Sequence, residues 1–379
     1  MLERRRDRAA RCGRRPTGRR RLAGRADPRP PGGPRGLDRG AGSAEGVTVR
    51  SRPRGRSGPW GYHATVRTDR IRVADGVELA VDLWALDDAT APEELWAPAD
   101  SGAPADPRTA LDAATRPVSN SSAFLLVHGL ASNARIWDGV AHRLAAAGHP
   151  VVTVDLRGHG RSSKPDGPYD VPTVADDLAA LVVALGLNRP VVAGQSWGGN
   201  VVLELAARRP ELVRGIVCVD GGWLEPSRSF PDWETCRRVL APPLLVGRPL
   251  AEIEGDLRTA HPDWPEAGIR GALANFEVRR DWTVAPWLTY ERHVAILRGL
   301  WDHHPPARYG ALRVPVLLVP VEDARYPRPD EKRAAVEAAR AAITICRVCW
   351  FRGDHDIHAQ RPAELAAVMH AAVIEAFFR

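Results

Sequence analysis

Hydrophobic positions along the chain follow two rhythms, and the change from one to the other lays out the architecture. Ordered structure is expected to begin near Thr65. Ile71 and Val73 precede Asp75-Gly76, a favoured hairpin turn pair, and Val77, Leu79, Val81 and Leu83 alternate after it, which predicts an antiparallel hairpin. Further on, short unbroken apolar runs predict strands over residues 123–127, 150–154, 190–193, 213–219, 314–319 and 343–351. Amphipathic stretches between them predict helices over 132–147, 174–187, from the end of the 190–193 strand through Arg208, 330–342 and 362–378. Continuous apolar strands alternating with such helices give an α/β fold, a mostly parallel sheet covered by helices on both faces.

The pattern lapses twice. Residues 88–121, rich in Ala, Pro and Asp, read as a flexible surface insertion, long for a compact domain. Residues 223–306 are helical and hold Trp223, Trp233, Trp264, Trp282, Trp287 and Trp301, as a helical cap inserted between two strands would. Most of these rings are expected to form the core of the cap, with one or two left to line a pocket. The chain thus divides into a disordered Arg/Pro/Gly-rich tail over 1–64, an α/β core over 65–222 and 307–379, and the cap over 223–306.

Charge changes this picture little once it is divided by region. The net charge is +7, yet the first 60 residues alone hold 18 Arg and no Lys against five acids, so the basic excess lies in the tail and the remainder is net acidic. The body therefore has no basic surface suited to nucleic acid. A tail of this composition is either a basic arm or disordered sequence upstream of the true start, and the absence of apolar periodicity favours the second. No run of about 18 apolar residues predicts a membrane span. No apolar stretch of the signal-peptide kind follows the N-terminal arginines. Five cysteines in 379 residues make no disulfide framework, which fits a reduced, cytoplasmic protein.

The chemistry concentrates at strand ends. Gly194-Gln195-Ser196-Trp197-Gly198 follows the 190–193 strand and opens a helix. A nucleophile at such a turn sits in a tight, strained bend that needs small flanking residues and exposes the hydroxyl at the carboxyl edge of the sheet. The helix N-terminus offers backbone N–H groups to a developing anion. A serine needs a base to accept its proton. His355, in the loop beyond the last strand, is the best placed of the twelve histidines; His358 is a rival nearer the final helix, and His128 and His159 read as structural.

Four ordered motifs carry a family resemblance: His128-Gly129-Leu130 after the third strand, Asp155 to Ser163 after the fourth, the Ser196 turn after the fifth, and His355, His358 and Pro362 after the last. Over about residues 66–379 the chain resembles the α/β-hydrolase superfamily. The likeness is to its capped group of esterases, C–C bond hydrolases, epoxide hydrolases, dehalogenases and non-haem haloperoxidases. The resemblance implies an α/β-hydrolase fold, Ser196 as nucleophile, His355 as base, and the N–H groups of Leu130 and Trp197 as oxyanion hole. Epoxide hydrolases and haloalkane dehalogenases of this group use Asp at the nucleophile position, so Ser196 sets the chain apart from them.

The third triad member departs from the family pattern. The acid is expected after the strand that follows the cap, in a Gly-x-x-Asp turn, but the chain reads Val319-Pro320-Val321-Glu322-Asp323. Asp323 is the nearest fit, with Glu322 beside it. Asp220, at the end of the strand after the nucleophile helix, is the alternative, used by some dehalogenase-like members; it can also be read as a hydrogen-bonding residue of a turn with Gly221-Gly222. Both satisfy the chain order Ser, acid, His.

Hydrolysis of a carboxylic ester with an apolar moiety, without cofactor or metal, is the expected activity. C–C hydrolysis, cofactor-free haloperoxidation and aminopeptidase activity share the same residues, the last having Trp after the nucleophile as here. A ligand-binding protein that has kept the fold without turnover is the reading from another class. Cys346 and Cys349, three apart on a strand, are expected on opposite faces, which speaks against a redox pair. His303-His304, at the end of a cap helix, is expected to be solvated. Oligomeric state has no signature in the sequence.

Overall fold

In the computed structural model the structure is described for residues 64–86, 122–323 and 328–378. The tail expected over 1–64 (all but its last residue) and the insertion over 88–121 lie outside the described residues.

The hairpin forms where alternation predicts it, β1 (Ala64–Ala74) pairing antiparallel with β2 (Val77–Leu86). Beyond it run β3 (Phe124–Val127), β4 (Val151–Val154), β5 (Val191–Gln195) and β6 (Gly215–Val219). A short hairpin, β7 (Phe276–Val278) and β8 (Val284–Pro286), precedes β9 (Val316–Val319), β10 (Val321–Glu322), β11 (Cys346–Val348) and β12 (Phe351–Arg352). Eight strands make one sheet in the order β1-β2-β4-β3-β5-β6-β9-β11, parallel from β4 onward. Antiparallel β2 joins it to the hairpin.

The sheet is apolar on both faces because its strands alternate between two cores. Leu125, Val127, Val192, Ile216, Cys218, Val316 and Leu318 pack into one cluster. Their neighbours Phe124, Leu126, Val191, Val217, Val219, Leu317 and Val319 pack into the other. Helices Val171–Ala184 and Trp197–Arg208 supply the first cluster, and helices Asp138–Ala146 and Pro362–Ile374 the second. Cys346 packs against the first core and Cys349 against the second, the opposite-face placement that strand geometry requires.

Between β6 and β9 the chain leaves the sheet for six helices and the β7–β8 hairpin. The hairpin is a departure from the all-helical expectation; Arg279, Arg280 and Asp281 supply the turn, where Trp282 takes a positive φ of 61° and stands 71% exposed. Trp264 and Trp223 are buried, and Trp233 meets Trp301 edge to face at 5.9 Å. This segment does not form a separate body: Trp264, Ile269 and Ala272 join one core of the sheet, and Ile296, Leu300 and Tyr309 the other.

Candidate active site

Ser196 sits in the one-residue gap between β5 and helix Trp197–Arg208, with φ 53° and ψ −122°. That backbone region is costly for a residue with a Cβ and persists only where surrounding structure dictates it. The surroundings do so here. A Cβ on Gly194 would lie 2.2 Å from the Gly198 carbonyl oxygen, and one on Gly198 would lie 2.4 Å from that of His128. Only glycine lets the strand, the turn and the neighbouring loop approach so closely. From Val191 to Ala206, Ser196 is the one residue that is not buried. The turn thus lifts a single hydroxyl out of an otherwise closed core.

Two further loops converge on it. Gly129 packs directly against the turn, since a Cβ there would meet Gln195 Oε1 at 2.3 Å and Ser196 Cβ at 3.1 Å. This brings the half-buried Leu130 beside the nucleophile candidate, while Trp197, first in its helix, has an amide with no partner inside that helix. His128 and His159 are buried: His128 Nε2 accepts from the Leu156 amide at 3.0 Å, and His159 Nε2 from the Ala131 amide at 3.3 Å. Burial holds both pKa values below the ordinary histidine value, which suits neutral rings that brace loops. From the other side, Gln195 Nε2 donates to the His355 carbonyl at 3.2 Å, tying the serine turn to the loop that follows β12.

The carboxylate that meets the His355 ring is Asp220, with 2.6 Å between His355 Nδ1 and Asp220 Oδ2. Asp323, the sequence's nearest fit, follows β10; the hydrogen bond at His355 Nδ1 does not go to it. Glu322 pairs with Arg333 and lies 3.6 Å from Arg352. The reason lies in the strand ends. Val219 receives the Ser196 amide at 2.9 Å, so the end of β6 runs alongside the serine turn, and Asp220 follows at once with φ 42°. Its amide donates to Val319 at 2.9 Å and its Oδ1 accepts from the Val321 amide at 3.0 Å. Ser196 and Asp220, at adjacent strand ends, thus both carry a positive φ, which is uncommon for residues with a Cβ.

A residue that sequence reasoning passed over completes the cluster. Lys332, on helix Pro329–Ala342, donates from Nζ to both Asp220 oxygens at 2.9 Å. Burial favours the neutral acid, but the hydrogen bond and charge of His355 and the charge of Lys332 outweigh it and hold Asp220 below the usual carboxylate range. Burial likewise works against a charged His355; the bond to and charge of Asp220 prevail and raise its pKa above the ordinary histidine value. The His355 side chain remains 44% exposed, so its far edge is accessible. His358 is different. It is wholly buried against Trp137, with ring centroids 4.5 Å apart, and burial pushes its pKa down to about 3.

His303 corrects the expectation of a solvated pair. It is buried, accepting from Asn200 Nδ2 through Nδ1 at 3.2 Å and contacting Glu204 Oε2 through Nε2 at 3.2 Å. Glu204, buried within the serine helix, draws the end of the insertion inward, which helix periodicity in the insertion alone did not reveal. His304 stays exposed against Glu225. Among the described residues no group of three His, Cys, Asp or Glu side chains could hold a metal ion, and no helix is long and apolar enough to cross a membrane. A cavity of about 310 Å³ between the 166–169 loop and helix Tyr290–Trp301 has Asp166, Tyr169 and Arg292 in its wall and none of Ser196, His355 or Asp220.

Comparisons with known proteins agree with this architecture. Residues 122–244 match the family model described as alpha/beta hydrolase fold. An uncharacterized protein of Mycobacterium tuberculosis is 36% identical over 109 residues, which are 29% of this chain and 32% of that protein, so the chain spans about a third of the length of this relative. The 2-(acetamidomethylene)succinate hydrolase of Mesorhizobium japonicum is 28% identical over 210 residues, 55% of this chain and 74% of the hydrolase. A crystal structure of E-2-(acetamidomethylene)succinate hydrolase superposes with a TM-score of 0.61 at 20% identity, covering 80% of this chain and 97% of that one, a likeness of fold.

Proposed function

We propose that this chain of α/β-hydrolase fold is a serine hydrolase that cleaves a carboxylic ester or related acyl compound through Ser196, His355 and Asp220. The observation that carries this reading is the strained Ser196 turn, tied through Gln195 to the loop of a half-exposed histidine whose Nδ1 is held 2.6 Å from a buried carboxylate.

In this reading the exposed Nε2 edge of His355 takes the Ser196 proton as the hydroxyl attacks a carbonyl carbon. Asp220 fixes the ring with its Nδ1 protonated and stabilises the imidazolium that forms. The amides of Leu130 and Trp197 receive the negative charge of the tetrahedral intermediate, each such donor being worth about 3–4 kcal/mol in a dry site. The leaving group takes the proton from His355, an acyl-enzyme remains, and a water activated by His355 releases the acid. The insertion over 223–306 acts as the cap that closes over the substrate's apolar moiety. Neither cofactor nor metal takes part.

A fluorophosphonate probe and a panel of p-nitrophenyl esters test the assignment. Wild-type protein is expected to be labelled at Ser196 and to turn over short esters, and Ser196→Ala to lose both while keeping its melting temperature. Ester turnover at the wild-type rate by folded Ser196→Ala ends the reading; rapid labelling without turnover of any ester, amide or vinylogous diketone moves the substrate class elsewhere.

A further inference from the structure

Lys332 occupies a position where the fold alone asks for an apolar side chain. On helix Pro329–Ala342 the buried residues are Lys332, Val336 and Ala339, spaced as one core-facing stripe. The lysine side chain is 6% exposed and the Asp220 side chain 2%. Its Nζ reaches Asp220 Oδ1 and Oδ2 at 2.9 Å and the Val321 carbonyl at 3.0 Å. The chain contains one other lysine, Lys164, whose ammonium donates to the Gly160 and Ser162 carbonyls.

Stability does not explain this placement. Removing an ammonium from water is costly, and apolar replacements of buried ion pairs are often neutral or stabilising. Asp220 already accepts from His355 Nδ1 and the Val321 amide, so the carboxylate would not be left without donors. What Lys332 adds is a second cation on the carboxylate that faces His355.

We propose that Lys332 is a positioning residue of the hydrolytic site, sharing the Asp220 carboxylate with His355 so that the plane of the acid is fixed and the imidazolium is stabilised less than an unshared carboxylate would stabilise it. This rests on the Ser196–His355–Asp220 reading. Sharing matters because a base bonded to a buried carboxylate tends to hold its proton, and His355 must be neutral to begin the reaction. Besides Lys332 and Asp220, the titratable groups around His355 among the described residues are Asp354, Asp356 and His358, close to it in sequence, and His261, which reaches in from the insertion to bond Asp354 Oδ2 at 2.7 Å. His128 acts on His358 as a further neighbouring charge site. Among these described groups Lys332 is the one lysine or arginine.

The test is the pH profile of kcat/KM for a short ester, whose acid limb reports the free-enzyme histidine. Lys332→Met removes charge and donors; Lys332→Gln removes the charge and keeps a donor. Both are expected to move the acid limb to higher pH by about one unit, a roughly tenfold loss of kcat/KM well below the limb, with smaller change on the plateau. An unmoved limb in either folded variant overturns the proposal. A wild-type measurement covers the case in which neither variant folds: with two lysines in the chain, ¹⁵N-lysine labelling resolves each ammonium, and the Lys332 signal is expected to step at the pH of the acid limb. A Lys332 signal that stays flat across the limb overturns it. If Ser196→Ala keeps full activity, the triad reading has failed; if Ser196→Ala is inactive and the limb does not move, only the role of Lys332 has.

Discussion

The ring of His355 and the carboxylate of Asp220 stand 135 positions apart in sequence and 2.6 Å apart in space. Asp220 follows the strand next to the one that precedes Ser196, and it is reached before the chain departs into the insertion. Lys332 and the Val321 amide hold it from the far side. This arrangement makes the two carboxylates weighed from sequence separable by experiment.

Asp220→Asn is expected to lower kcat for ester hydrolysis by about 10⁴-fold, since the amide disturbs the tautomer that the base requires. Asp323→Asn is expected to lose less than about tenfold. Parallel kinetics on the two purified variants check this, and the reverse order would transfer the acid role to Asp323.

Acid should weaken the fold before ordinary carboxylates titrate. His149 is buried against His370, with 2.8 Å between ring nitrogens, and burial lowers its pKa to about 4; His358 is lowered to about 3. The unfolded chain takes up these protons near pH 6.5, whereas the folded state resists them. The contribution is complete above about pH 6.5 and is lost as pH falls toward 4, by about 1.4 kcal/mol per pH unit for each ring. Urea unfolding midpoints at intervals from pH 7.5 to 5 should decline steadily; a flat profile over that range contradicts the assignment.

Gly194→Ala is expected to cost more than about 3 kcal/mol, because its Cβ would sit 2.2 Å from the Gly198 carbonyl oxygen, backbone against which nothing can rotate away. Gly247→Ala, where a Cβ meets nothing within 4 Å but φ is +84°, isolates the smaller cost of backbone strain. Calorimetric melting of both variants gives the comparison.

Glu204 is a buried carboxylate bonded to Arg308 at 2.7 Å and to His303 at 3.2 Å. Glu204→Leu leaves those donors facing an apolar side chain and should destabilise by about 3–5 kcal/mol. Because both partners lie at the end of the insertion, limited proteolysis should find residues 290–310 cut sooner than in wild type. Unchanged cleavage would show that the insertion is fastened elsewhere.

Strand positions, both layers of helices and the serine turn were legible because they rest on local signals: apolar runs, amphipathic periods, glycines around Ser196. The acid was not, since Asp220 and Asp323 both end apolar strands and the choice depends on which strand end faces the His355 loop. Lys332 was hidden for a related reason: within Asp330-Glu331-Lys332-Arg333 it reads as part of a solvated charged face, and only the helix's rotation turns it inward. His303 was misjudged because its partner belongs to a helix about a hundred residues earlier. The β7–β8 hairpin is too short to leave a rhythm.

The position of Asp220 also bears on how such a protein can change. Ser196 and Asp220 both precede the excursion between β6 and β9. A lineage could lengthen, trim or exchange that excursion to suit new substrates while Ser196 and Asp220 stay anchored at the ends of β5 and β6.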